Sequence, residues 1–149
     1  MKKFGIRLSA FVVALLSLVI LGSFFHTQFV LSALPVPTPV SFSDNMSTTL
    51  SDILGLAPLY GAIMGAGLLI AFLIAIYVTK LAPSLRWLVY MVAGFVAVIA
   101  ALLIMKAVFG LMPIAGARSM AGLLMQGVAG AVAGYVFTRI NPAPSAHTA

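Results

Sequence analysis

Between Leu8 and Thr138 the chain carries four apolar runs of membrane-spanning length, and neither of its two carboxylates, Asp44 and Asp52, falls inside any of them. A run of roughly 20 apolar residues has one stable home, a helix across a bilayer, because its backbone N–H and C=O groups are then paired within the segment. The expected spans are residues 8–31, 59–79, 87–109 and 118–138 of a single all-α integral membrane domain covering residues 1–149. With 63% of residues hydrophobic and 7% charged, the composition lies far from that of a soluble domain. Lys2, Lys3 and Arg7 ahead of the first run also suit a secretory signal, with Leu31-Ser32-Ala33 as a cleavage-like triplet. A signal core is only about 7–15 residues, so the longer run here predicts an uncleaved first span.

Gly122, Gln126, Gly130 and Gly134 recur every four residues in the last run and form one stripe on a helix. Gly61 and Gly65, overlapped by Ala62 and Ala66, repeat the pattern in the second run, and Ala93, Ala97 and Ala101 do so in the third. Lipid gives helices no hydrophobic reason to associate, so they join through close backbone approach and occasional hydrogen bonds. These stripes are therefore expected packing surfaces, with Gln126 as an interhelical hydrogen-bonding group.

The connections set the order of the helices. Residues 32–58 form the one long polar stretch, expected as an outer loop that Pro35, Pro37 and Pro39 hold extended. Thr49 and Asp52 read as a capping box for a short helix whose Leu50, Ile53, Leu54 and Leu56 would lie on the bilayer surface, with Pro58 kinking it or separating it from the second span. Lys80 to Arg86, around Pro83, and Gly110 to Ala117, around Pro113, are short turns. Turns this short make consecutive spans antiparallel neighbours, so an up-down four-helix bundle is expected, followed by a disordered tail at 141–149. Trp87 and Tyr90 sit where interfacial aromatic anchors belong.

The net charge of +6 comes from basic residues at segment ends, a pattern of membrane topology and not of nucleic-acid binding. Lys2, Lys3, Arg7, Lys80, Arg86 and Arg139 fall on one side; Lys106 and Arg118 fall on the other, with Asp44 and Asp52. The positive-inside rule then places both termini in the cytoplasm of a bacterial-type inner membrane.

Catalytic chemistry has little to work with. The chain contains no cysteine, which removes disulfides, thiolate catalysis and Cys-held metals. No intramembrane Asp or Glu is present for a proton relay, and no Ser/His/Asp, Ser/Lys or phosphate-loop spacing occurs. A non-enzyme without a cofactor is expected. Arg118, at a helix N-terminus where the dipole disfavours a cation, calls for a counter-charge, so Arg118 and Lys106 with Asp52 or Asp44 form an expected outer-side ion pair or anion site. Lys106 also has a plain role, reaching toward the interface from a helix C-terminus. His26 is a redox candidate only if two copies pair it across a dimer; an interfacial histidine bonded to headgroups is the simpler account.

These features point to a small accessory or assembly subunit that packs on another membrane protein or on itself. A homo-oligomeric channel or carrier for a small anionic or neutral solute is the alternative, and a membrane anchor for a redox enzyme is the third reading.

Overall fold

The computed structural model describes the backbone of residues 2–32, 42–110, 114 and 117–141, and within it the side chains of 4–30, 32, 61–110, 114 and 117–141. These residues form four helices: α1 (Lys2–Ser32), α2 (Phe42–Leu81), α3 (Arg86–Phe109) and α4 (Met120–Ile140), with a 3-10 turn at Pro83–Leu85 between α2 and α3. Each holds a segment long and apolar enough to cross a membrane: Phe4–Val30, Gly61–Leu81, the last turn and α3 together as Pro83–Phe109, and Met120–Ile140. No strand occurs among the described residues.

Local chemistry explains the ends. Proline lacks the N–H that the first helical turn leaves unpaired, and Pro83 opens the 3-10 turn accordingly. α3 stops at Gly110, whose φ of 70° lies in the left-handed region that glycine enters without a Cβ penalty. α4 starts after Ser119, whose Oγ accepts a hydrogen bond from the Gly122 N–H at 3.0 Å. Arg118 therefore precedes the cap and lies outside the helix.

One element differs from expectation. Residues 42–58 are helical and belong to the single 40-residue α2, so the short surface helix is not a separate element and Thr49 is an interior helical position. Pro58 costs the bond that its missing N–H would have given the Leu54 carbonyl, yet helices tolerate that loss when the flanking turns remain hydrogen-bonded. The proline-rich strap at 33–41, the tail at 142–149 and the side chains of Asp44 and Asp52 lie outside the described residues.

α3 packs on α4, α4 on α1, α1 on α2, and α2 on α3. Neighbours run antiparallel: Val19 and Leu15 of α1 meet Gly61 and Gly65 of α2, and Tyr90 and Phe95 of α3 meet Gly134 and Gly127 of α4. The closest approach is α3 to α4. A Cβ on Gly94 would strike the Gly130 carbonyl, one on Gly130 would strike the Gly94 carbonyl, and one on Gly134 would strike the Tyr90 carbonyl. Backbones this near place glycine Cα–H groups against facing carbonyl oxygens, a weak but repeated attraction. Gly122, Gln126, Gly127, Gly130 and Gly134 are all buried, so the α4 stripe is consumed inside the chain.

Gln126 is 1% exposed, and its Nε2 donates to the Gly22 carbonyl of α1 at 2.9 Å. Interhelical bonds of this kind contribute about 1 kcal/mol in membranes. Gln126→Leu is expected to lower stability by about that amount in a detergent-unfolding titration. An unchanged midpoint would mean that the bond adds nothing beyond packing.

Candidate functional site

At the end of the molecule where α1 begins and α4 finishes, each helix contributes one aromatic ring: Phe11, Phe72, Tyr90 and Phe137. Phe72 lies at the centre. Its ring centroid is 6.3 Å from Phe11, 5.3 Å from Tyr90 and 4.7 Å from Phe137. Edge-on and tilted pairs at these separations are the favoured aromatic geometries, and together they form a rigid floor.

Above that floor opens a cavity of about 620 Å³, well inside the size range of small-molecule sites. Arg7 of α1, Lys80 of α2 and Arg86 of α3 line it, and none of the described lining residues carries a carboxylate. Its apolar walls include Phe4 and Leu8 of α1 with Leu69 and Leu73 of α2. All four are about half exposed or more, Phe4 reaching 72%, so these apolar walls on α1 and α2 are open on their outer side. The site is apolar below, cationic at the helix ends and walled by exposed apolar side chains.

The cations are held by neutral partners. Arg86 Nη2 donates to the Asn141 carbonyl at 2.5 Å, satisfying a C-terminal carbonyl of α4, and its guanidinium lies 5.5 Å from the Tyr90 ring centroid. Lys80 Nζ lies 5.1 Å from the Tyr77 ring centroid. Arg139 Nε donates to the Tyr135 hydroxyl at 2.8 Å, and its guanidinium sits 4.9 Å from that ring centroid. A second, shallower pocket beside the first shares Pro83 and Arg86 and adds Trp87, Tyr135, Thr138 and Arg139. Carbonyls, hydroxyls and ring faces orient a cation but do not neutralise it. Both pockets therefore keep their positive charge.

No family model, curated protein or solved structure matches the chain. Its functional reading rests on this geometry.

The residues singled out in the sequence divide by location. Gly61, Gly65, Gln126, Gly130 and Gly134 lie between helices: Gly61 and Gly65 face α1, Gly130 and Gly134 meet α3, and Gln126 reaches α1, while Gly122 is buried and its N–H is capped by Ser119. Ala62 and Ala66, by contrast, are exposed. Lys106 and Arg118 are both exposed, toward the end opposite the cavity; a pair with Asp44 or Asp52 would involve side chains outside the described residues. His26 is half-buried on α1, and among the described residues no three His, Cys, Asp or Glu side chains come together.

Arg7, Lys80 and Arg86 were readable as topology markers, but nothing in their spacing told that they meet over one cavity. Phe11, Phe72 and Phe137 look like any other apolar residue of a span. The one signal available was the clustering of Tyr77, Trp87, Tyr90 and Tyr135 beside cations on the same side.

Proposed function

We propose that the chain is a small non-catalytic protein of a bacterial-type inner membrane, with cytoplasmic termini, that holds an anionic lipid between its helix ends in the cytoplasmic leaflet. One observation carries this reading: a cavity with an aromatic floor, three cations, no carboxylate among its described lining residues, and exposed apolar walls on α1 and α2. An anionic headgroup answers the charge, and an acyl chain leaving between α1 and α2 covers Phe4, Leu8, Leu69 and Leu73. The interior of a single copy is filled by Leu18, Met64, Leu68, Val98, Leu102 and Gln126, which speaks against a pore through one chain.

Nanodiscs separate this from passive residence in the bilayer. The purified chain is expected to retain anionic lipid in native mass spectrometry from mixed phosphatidylcholine and phosphatidylglycerol discs, and Lys80→Gln is expected to weaken that retention about fivefold. Equal retention of both lipids by the parent chain would overturn the reading.

An accessory or assembly subunit, contacting another membrane protein or a second copy, is the second reading. Its support is the exposed Ala62 and Ala66 pair, a small-residue step on the outer face of α2. Disulfide trapping of Ala62→Cys in native membranes tests it, because the chain has no other cysteine.

A further inference from the structure

We infer that the cavity selects a lipid phosphomonoester, with phosphatidic acid as the representative headgroup chemistry, over the more abundant phosphodiester lipids. This rests on the anionic-lipid reading above and names the headgroup.

The first argument is charge. Arg7, Lys80 and Arg86 enter from three different helices, and α4 contributes only Phe137 and the neutral Asn141. Tyr90 adds a hydroxyl, the Thr79 hydroxyl already donates to the Ile76 carbonyl at 3.0 Å, and Arg139 adds a further cation in the adjoining pocket that shares Arg86. Lys2 and Lys3 stand at the start of α1, with side chains outside the described residues. A phosphodiester brings one negative charge, whereas a phosphomonoester brings up to two. In a cavity walled by phenyl rings and aliphatic side chains, the second charge acts at low dielectric and is poorly screened.

The second argument is donor geometry. Arg86 has one nitrogen engaged by Asn141 and one face over Tyr90, but a guanidinium has five N–H donors and keeps others for a ligand. Lys80 is held by a ring face, which takes up none of its three N–H donors by a carboxylate. Donors thus approach from three helices. A monoester presents three terminal oxygens to match them, and a diester presents two. The diester must also place its second substituent among the cations, where the uncharged polar groups of the described walls are Thr79, Tyr90 and Asn141.

The apolar half of the site argues for a membrane-resident ligand and against free phosphate. Four rings and the exposed apolar walls on α1 and α2 have no use for an inorganic ion, while an acyl chain buries against them.

The experiment uses the full chain in phosphatidylcholine nanodiscs doped with either phosphatidic acid or phosphatidylglycerol, which share the same tails. Native mass spectrometry is expected to give about tenfold tighter binding of phosphatidic acid at about pH 8. The preference is expected to narrow to about twofold at about pH 5, where the monoester takes up its second proton, its ordinary pKa being about 6. Among the described lining residues none is a histidine, the side chain that changes charge in that interval, so the narrowing is assigned to the phosphate. Arg7→Gln and Lys80→Gln should each remove most of the preference, because the loss of phosphatidic acid binding exceeds the about fivefold loss of phosphatidylglycerol binding. Arg86→Lys keeps the charge and should retain it, a guard against loss through misfolding. Equal binding of the two lipids at about pH 8, with both weakened in the glutamine variants, would overturn the monoester selection and leave the anionic-lipid reading standing. Binding of neither above the phosphatidylcholine background would overturn both. Displacement of phosphatidic acid by millimolar inorganic phosphate would overturn the membrane-resident source.

Discussion

Gly134→Ala is expected to destabilise the protein by about 3 kcal/mol, the upper end of overpacking costs, because the added methyl meets backbone and not a movable side chain. The Cβ would run into the Tyr90 carbonyl, with Tyr90 C and Met91 N also within 2.9 Å, so relief requires α4 to move away from α3. Moving α4 also breaks the reciprocal approach of Gly94 and Gly130. The matching controls have the opposite sign. Gly5 has nothing within 4 Å of its would-be Cβ, and Gly61 meets only Val19 Cγ2 at an ordinary 3.6 Å. Alanine at either position should be neutral or stabilising by up to about 1 kcal/mol through helix propensity alone. Unfolding of the three variants in a denaturing-detergent titration checks the contrast, and a Gly134→Ala midpoint equal to that of Gly61→Ala would refute the close approach.

Phe72→Ala carries the second large effect, on both fold and site. Phe72 is 4% exposed and touches the rings of Phe11, Tyr90 and Phe137. In lipid the water-to-hydrocarbon transfer term is largely missing, which leaves the void and lost dispersion contacts, about 2–3 kcal/mol for the removal of a phenyl ring. The same change lowers the cavity floor. Lipid binding should therefore weaken even at temperatures where the variant remains folded, while Phe72→Leu, which fills most of the void, should recover stability ahead of binding. The paired measurement is a detergent-unfolding midpoint and native mass spectrometry of retained anionic lipid. Full lipid retention by a folded Phe72→Ala chain would separate the aromatic floor from the site.

The helices were legible because membrane spans are written in long apolar runs, and their ends because Pro83, Gly110 and Ser119 act locally. The role of Gln126 could be read too, since a glutamine on a glycine face has few alternatives to bonding another helix. The continuity of α2 could not. Pro58 is a strong stop signal in water, and whether a helix continues past it depends on surroundings that a single residue does not encode. The cavity was hidden for a different reason. It forms where Arg7 and Asn141, at opposite ends of the chain, arrive at the same end of the molecule, and only the packing of α4 against α1 brings them there. The choice of partner by the α4 stripe was equally open: Gly130 and Gly134 face α3, while Gln126, on the same stripe, reaches α1.

The hydrogen bond from Gln126 to Gly22 joins positions 104 residues apart, linking α4 to α1. Synthesis runs from α1 to α4, so the Gly22 carbonyl of α1 meets Gln126 only after α4 has been made. A chain halted after α3 would hold all three cavity cations, Arg7, Lys80 and Arg86, but would lack Phe137 of the floor and Asn141 beside Arg86. Closure of the aromatic floor thus waits for α4 to pack against the other three helices.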